Sequence, residues 1–218
     1  QGRIELRAEK VIISAGGLGT PVILKNSGID EAGKGFFCDP LLFTYGVREG
    51  SDKGSIYDVT MTAGTWDFHG DEGYVTTDLA EPWMLQAMSM GAKGRVDQLP
   101  NLRKTFSIMT KVKDPVSGEI DGKGKLKKKL EPVVWKRLKS GDTNARRILE
   151  KAGVKKSSIF TSPIKAAHPG GSARIGQVVD NNMETQIKNC YVADASVVPD
   201  ELGTPVVLLS LCIGKYAA

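Results

Sequence analysis

The chain has few of the residues from which disulfide, metal and membrane structures are built. Three cysteines, at positions 38, 190 and 212, are too few and too scattered for a disulfide framework or a CxxC metal site. With two histidines, His69 and His168, we expect no histidine-rich metal centre. No apolar run approaches the ~20 residues of a membrane helix, so we expect no membrane span. Hydrophobic residues nevertheless make up 40% and charged residues 25%, the balance of an ordinary globular protein.

Positive charge is concentrated in one part of the chain. The net charge is +5, but residues 121–156 carry 13 Lys/Arg and 4 Asp/Glu, which gives +9 and leaves −4 elsewhere. Aromatic residues are not interleaved with the lysines from Lys123 to Lys129, so we favour a solvated surface over a nucleic-acid site. A binder of nucleic acid or of an anionic surface through residues 121–156 is the third of our hypotheses.

Both ends of the chain suggest a piece of a longer protein. Residues Arg3–Arg7 alternate as a strand does, and Val206–Ala218 has the composition of a buried helix without a polar cap. A small domain with short termini is the alternative. No signal peptide is recognisable, so we predict a cytoplasmic location.

The first recognisable unit is a strand, a glycine turn and a helix. The apolar run Lys10–Ser14 predicts a strand, and Pro21–Asn26 predicts a short helix with Thr20 as its N-cap. Gly16 and Gly17 lie between them. A helix N-terminus behind a glycine turn suits a phosphate or cofactor, although glycines at such turns also serve steric needs alone.

The middle of the chain predicts an antiparallel sheet with covering helices. Short apolar runs between 41 and 109 are broken by Gly, Asp and Thr, and Thr105–Val112 alternates as a strand. A basic hairpin follows, and then a helix from Glu131 to about Lys151. We assign its apolar face to Trp135, Leu138, Ala145, Ile148 and Leu149.

Three sites toward the end of the chain have residues suited to chemistry. His168 stands in a loop, Ala-Ala-His-Pro-Gly-Gly-Ser-Ala-Arg, that holds an imidazole away from a packed face, as a general base requires. Asp194 and Ala195 follow a strand, where α/β sheets bind ligands, or else form a helix cap. Thr204 and Pro205 precede the last helix, where they would aim its free N–H groups at a ligand or else only mark the helix start. A structural role for His168 stays open on composition alone.

Taken together, these motifs resemble the glucose–methanol–choline (GMC) oxidoreductase family. Residues 13–29, I-S-A-G-G-L-G-T-P-V-I-L-K-N-S-G-I, resemble a signature of that family. The departures are Gly17 and, directly after the segment, Asp30. Residues 167–213 resemble its closing region, with H-P-G-G-S-A-R-I-G, then N-C-Y-V-A-D-A-S-V-V-P, then G-T-P and an apolar helix. These two blocks cover roughly a third of the chain.

The resemblance implies an FAD-dependent oxidoreductase acting on the CH–OH group of donors. Hydride would pass from the donor carbon to flavin N5, with His168 as the acid/base. The remaining residues implied at the cofactor are Gly16, Gly17, Thr20, Asp194, Ala195, Thr204, Pro205 and Val206. A small-molecule substrate and an electron-acceptor partner are implied, with no nucleic acid and no metal.

Two departures qualify this expectation. The family usually has a second His or Asn where this chain has Pro205, which offers no side-chain donor or acceptor. A G-x-G-x-x-G dinucleotide fingerprint is absent from the 218 residues, so we expect the chain alone to bind FAD weakly or not at all and to be inactive. A non-catalytic binding or assembly module that kept the fold without the cofactor is the alternative function.

The predicted fold is α/β with α+β. It comprises the C-terminal part of a discontinuous, Rossmann-like FAD domain and a substrate domain built on an antiparallel sheet. We assign residues 1–45 and 164–218 to the FAD domain and residues 46–163 to the substrate domain.

Overall fold

The computed structural model describes residues 4–217, in which helices and strands alternate irregularly. The α-helices are α1 (Gly16–Asn26), α2 (Trp83–Ala92), α3 (Pro132–Lys151) and α4 (Val207–Ala217). The strands are β1 (Val11–Ile13), β2 (Lys34–Val47), β3 (Gly64–Thr65), β4 (Tyr74–Asp78), β5 (Thr105–Val112), β6 (Gly118–Ile120), β7 (Leu126–Lys127), β8 (Phe160–Thr161), β9 (Lys165–Gly170) and β10 (Cys190–Val192). Four short 3-10 helices occupy Ser55–Tyr57, Val96–Lys104, Lys156–Ser158 and Ala195–Val197.

The chain divides into two compact units. The first unit comprises residues up to 38, residues 115–129 and residues from 168 onward; the second comprises residues 39–114 and 130–167. Residues 115–129 thus belong with the two ends of the chain. The assignment of 1–45, 46–163 and 164–218 to an FAD and a substrate domain stays a prediction.

A parallel strand pair and a helix form the centre of the first unit. β1 pairs in parallel with β10, and α1 follows β1 directly. Its core includes Ile13, Leu24, Phe37 and Val192, all buried. In the same unit, β6 and β7 form the predicted hairpin, which pairs with the beginning of β2.

An antiparallel sheet forms the centre of the second unit. Its strands lie in the order β3-β4-β5-β2, and β8 also pairs with β2. One face packs against α3, which approaches so closely that a Cβ on Gly141 would lie 2.3 Å from Thr110. The other face buries Phe43 and Tyr45 with Met90 of α2. The predicted mixed architecture with an antiparallel sheet is confirmed.

Several local expectations are wrong. Trp135 and Ile148 are exposed, because the buried face of α3 instead runs through Val134, Leu138 and Leu149. The predicted strand at the start of the chain is absent from residues 4–10, which are exposed; Arg3 lies outside the described residues.

The last helix is present, but it is not the buried helix that its composition predicts. Its predicted end at Ala218 lies outside the described residues. Val207, Leu208 and Leu211 of α4 are each at least two-thirds exposed, and Ile213 is its buried side chain among the described residues. Across residues 4–217, the helices are all too short or too polar to cross a bilayer.

Candidate functional site

The carboxylate of Asp194 joins the end of β10 to the start of α1. Its Oδ2 atom accepts hydrogen bonds from the backbone N–H of Gly16 at 2.9 Å and from the Thr20 hydroxyl at 2.5 Å. Its Oδ1 atom accepts from the N–H of Ser196 at 2.8 Å. A negative charge at a helix N-terminus is favourable, because free N–H groups and the helix dipole both point toward it. Three predicted site residues therefore meet here.

This arrangement corrects the predicted start of the helix. α1 begins at Gly16, so Thr20 lies inside it and is fully buried; it does not act as the N-cap. The Thr20 hydroxyl accepts from the N–H of Ala15 while donating to Asp194. A carboxylate from elsewhere in the chain thus replaces the local cap.

Gly17 lies against the segment that follows His168. A Cβ added to Gly17 would lie 2.2 Å from the carbonyl oxygen of Pro169, which no real Cβ contact allows. The hydroxyl of Ser172 donates to the carbonyl oxygen of Gly17 at 2.7 Å. The missing side chain at Gly17 therefore admits another stretch of backbone.

His168 lies in β9 with a left-handed backbone conformation. Its φ is +51°, and it precedes Pro169, a position that disfavours helical conformations on steric grounds. A positive φ outside glycine costs free energy and persists where the surroundings fix it, often at functional sites. The side chain is half-buried. The predicted loop is thus, in part, a strand.

Ala195 begins the 3-10 helix that follows Asp194, and it contacts the residues after His168. Its carbonyl oxygen accepts from the N–H of Gly171 at 3.3 Å. A Cβ on Gly170 would lie 2.9 Å from that oxygen, so close packing requires glycine there. The turn at Gly16 and Gly17, the segment 168–171 and the residues 194–195 are thereby brought together in the first unit.

The other three residues predicted at the cofactor, Thr204, Pro205 and Val206, lie in the irregular segment that precedes α4. Thr204 and Val206 are half-buried, whereas Pro205 is exposed. The helix that follows them contacts Ala195–Val197. In the part of the chain that the structure describes, acidic, histidine and cysteine side chains form no group suited to a metal ion.

Sequence reasoning missed a buried polar network in the second unit. The Tyr45 hydroxyl and the Lys165 ammonium both donate to the carboxylate of Glu81. Burial, assisted by the neighbouring Glu81 carboxylate, raises the pKa of Tyr45 well above its usual range. These residues are 36 and 84 positions from Glu81, so no local pattern marks them.

A second buried ion pair lies in the same unit. Lys111 Nζ is 3.8 Å from an oxygen of Asp39, and both side chains are almost fully buried. Burial lowers the pKa of Lys111, and the charge of Asp39 opposes that effect. The alternation of apolar and polar residues along β5 does not indicate that Lys111 pairs with Asp39.

Comparison with known proteins finds one curated relative and two oxidases of similar fold. The chain is 30% identical over 213 residues, 97% of its length, to the uncharacterized protein MJ1450 of Methanocaldococcus jannaschii, of which it covers 52%. Pyridoxine 4-oxidase from Mesorbium loti matches all of the chain with a TM-score of 0.62 and 17% identity; 52% of that protein is covered. A variant of formate oxidase from Aspergillus oryzae RIB40, studied for FAD modification, matches 95% with a TM-score of 0.61 and 16% identity; 53% of it is covered.

The chain therefore spans about half the length of these relatives. The structural matches, at such low identity, show the fold. The family is shown by a separate comparison, in which the model described as GMC oxidoreductase matches residues 71–214. Because this match covers more than half of the 218 residues of the chain, the chain belongs to the GMC oxidoreductase family.

Proposed function

We propose that this chain forms part of an FAD-dependent oxidoreductase that oxidises a CH–OH donor with His168 as the acid/base. The observation that carries the proposal is that the strained backbone of His168 directly precedes a segment packed on the turn at Gly17 and on Ala195. Conformational strain next to a helix N-terminus is typical of a site built for chemistry.

The start of α1 leaves room for such a cofactor at Gly16 but not at Gly17. A Cβ on Gly16 would meet nothing within 4 Å, so a ligand has room there, whereas Gly17 is covered by Pro169. Among the residues that the resemblance implies at FAD, those that would hold it are exposed or half-buried: Gly16, Asp194, Ala195, Thr204, Pro205 and Val206. Gly17 and Thr20 are buried and would support the turn from behind. When bound, FAD supplies the N5 atom that accepts a hydride.

His168 would handle the proton of the reaction. A nitrogen of its imidazole takes the hydroxyl proton while the donor carbon loses its hydride, so the alcohol becomes a carbonyl compound. Asp194 already accepts hydrogen bonds at both oxygens, so its role is to hold the turn at Gly16. Pro205 supplies no second proton acceptor, which leaves His168 with this task. The substrate, the electron-acceptor partner and the cytoplasmic location stay predictions.

The test is the rate of anaerobic flavin reduction in the complete, FAD-loaded enzyme of which this chain would form part, after mixing with primary alcohols. We expect His168→Ala to slow reduction by about 10²-fold or more. His168→Asn should be as slow, although asparagine tolerates the left-handed backbone, because it has no group that titrates. His69→Ala is the matched control. Wild-type rates in both His168 variants would refute the assignment.

A non-catalytic binding module is the second candidate, and exposed apolar side chains favour it. Ile12 of β1, Leu18 of α1 and Leu208 of α4 are all more than half exposed, as expected of a surface that a partner covers. Absorbance spectra after incubation with FAD separate the two functions. A bound flavin spectrum supports the enzyme, and its absence from this chain and from any longer form supports the module.

A further inference from the structure

A cleft with a volume of about 400 Å³ lies beside α3 in the second unit. One wall is a face of α3, and the other is formed by Phe68, Glu72 and Tyr74 at the start of β4. Pockets that bind small molecules have volumes of this order. The lining residues all belong to the second unit, and the resemblance implies none of them at the cofactor or as the acid/base.

The helical wall of the cleft is basic. Leu138 and Leu149 of α3 are buried against the sheet, whereas Lys136, Lys139 and Arg147 are exposed and line the cleft. Positions three, seven or eight residues apart lie on one side of a helix. The helical repeat of α3 therefore brings these three cations to one surface.

The other two arginines of α3 have partners within the protein. Arg146 forms an ion pair with Asp142 at 2.9 Å, and Arg137 donates to the carbonyl oxygen of Lys113 at 2.8 Å. Across residues 4–217, the charged ends of the three cations that line the cleft form neither an ion pair nor a hydrogen bond with the protein. They are therefore free to contact a ligand.

The balance of charge in the cleft favours an anion. One carboxylate, that of Glu72, also lines it, and this group accepts a hydrogen bond from the Ser140 hydroxyl at 3.0 Å. Three positive charges thus stand against one negative charge, and a surface depression lined mainly by one sign of charge concentrates ligands of the opposite sign.

The spacing of the cations suits a ligand with two anionic groups. Lys136 and Lys139 are about 4.5 Å apart along the helix axis, whereas Arg147 lies about 12 Å beyond Lys139. One phosphate group can therefore contact both lysines, and Arg147 can contact a second group. Each phosphate has a charge of about −1.5 to −2 near pH 7, so two phosphates match three cations better than two carboxylates do.

The wall opposite α3 offers an aromatic ring. Phe68 is half-buried and stacks on Tyr74, with ring centroids 5.0 Å apart and planes 13° apart. Tyr74 is buried and supports the Phe68 ring from behind. The cleft thus combines cations with a flat apolar surface that can pack against the organic part of a ligand.

We propose that the cleft beside α3 binds a small molecule that carries two or more phosphate groups. Lys136 and Lys139 hold one phosphate, and Arg147, whose planar guanidinium can donate two parallel hydrogen bonds, holds another. Asn144 lines the cleft between them in sequence and adds amide donors. This binding does not depend on the proposed function, because it involves neither FAD nor His168.

Calorimetric titration of the whole chain with inorganic tripolyphosphate tests the site, at about 0.15 M salt to screen non-specific attraction. We expect saturable binding that weakens about 10-fold or more in Lys136→Gln/Lys139→Gln, because charge-assisted hydrogen bonds are lost. Arg147→Gln should also weaken binding. Lys93→Gln/Lys156→Gln is the matched control, since it removes the same charge from exposed lysines that do not line the cleft.

The control pair should bind as tightly as the parent. Equal weakening in the two lysine pairs, or the absence of saturable binding by the parent, would overturn the proposal. Binding of a single-stranded DNA oligonucleotide through Lys136 and Lys139, without binding of tripolyphosphate, would assign the cations to nucleic acid and would also overturn it. Urea unfolding of each variant verifies that it is folded.

A second titration, with ATP, distinguishes a nucleotide from an inorganic polyphosphate as the source of the phosphates. If the Phe68 ring packs against a base, ATP binds more tightly than tripolyphosphate, and Phe68→Leu weakens the binding of ATP alone. If the ligand is inorganic, Phe68→Leu leaves both affinities unchanged. Either result supports the phosphate site, provided that Lys136→Gln/Lys139→Gln weakens the binding of both probes.

Discussion

The hydroxyl of Ser172 donates at 2.7 Å to the carbonyl oxygen of Gly17, the acceptor that Pro21 leaves without a helical partner. In a regular α-helix, the N–H four residues later would bond this oxygen, but proline has no N–H. Pro21 lies within α1, and Ser172 is fully buried. One buried hydroxyl thus allows a proline inside this helix and attaches the helix to the segment that follows His168.

Ser172→Ala should lower the free energy of unfolding by about 1–3 kcal/mol, because a buried carbonyl loses its donor. Urea unfolding of the parent and variant measures the difference. Pro21→Ala is the informative second change, since it restores an N–H four residues after Gly17. In the Pro21→Ala background, the Ser172→Ala loss should shrink by about 0.5 kcal/mol or more. Equal losses in both backgrounds would contradict this account.

The carboxylate of Asp194 should matter to stability for a related reason. Asp194→Ala removes the acceptor of Gly16, Thr20 and Ser196, and we expect a loss of about 1.5–3 kcal/mol. Asp200→Ala is the matched control, because Asp200 is exposed and accepts from Glu201 N–H. Urea unfolding compares the two variants, and equal losses would refute a specific role for Asp194.

Gly17→Ala separates a steric role of this glycine from a cofactor role. The added Cβ would strike the carbonyl of Pro169, a backbone atom that cannot move aside cheaply, so we expect a loss of about 1–3 kcal/mol. Gly91→Ala, where a Cβ meets nothing within 4 Å in α2, should instead gain up to about 1 kcal/mol. A stable Gly17→Ala protein that fails to bind FAD would assign Gly17 to the cofactor.

The sequence predicts best those elements whose signal is local. The alternation of Thr105–Val112 gave the bounds of β5, and the hairpin and α3 follow from turn residues and helical periodicity. The sequence misplaces the start of α1, because the side chain that caps it, Asp194, lies 178 residues from Gly16. The network at Glu81 was missed for the same reason. Periodicity shows which face of an element is apolar, but not which distant polar group it meets.

The same limit applies to the exposed face of α4. Its composition predicts burial, and apolar residues usually are buried. In the described part of the chain, however, Leu208 and Leu211 find no such cover. Composition reveals that a surface is suited to burial, whereas the presence of a covering element depends on what else is folded beside it.

Alkaline pH should destabilise the protein through Tyr45. Burial, then the Glu81 carboxylate, raises the pKa of this phenol above its ordinary value of 10.0. Below pH 10 the folded and unfolded forms both hold the proton, so the contribution is complete there. Above it the unfolded chain loses its proton first, so the free energy of unfolding falls as the pH rises. A difference of one bound proton between the folded and unfolded chain changes the free energy of unfolding by about 1.4 kcal/mol per pH unit.

Tyr45→Phe should therefore flatten the decline of stability above pH 10 by about that slope, whatever its cost at neutral pH. Tyr74, whose pKa burial also raises, keeps its own contribution in this variant, and Tyr74→Phe is the matched comparison. The lowered pKa of Lys111 acts in the opposite direction, because it raises the free energy of unfolding as the pH rises toward 10.5. This contribution is the same in the parent, in Tyr45→Phe and in Tyr74→Phe, so it does not affect their comparison. Urea unfolding at a series of pH values gives the slopes. The same slope in Tyr45→Phe and the parent would show that the Tyr45 phenol titrates alike in the folded and unfolded chain.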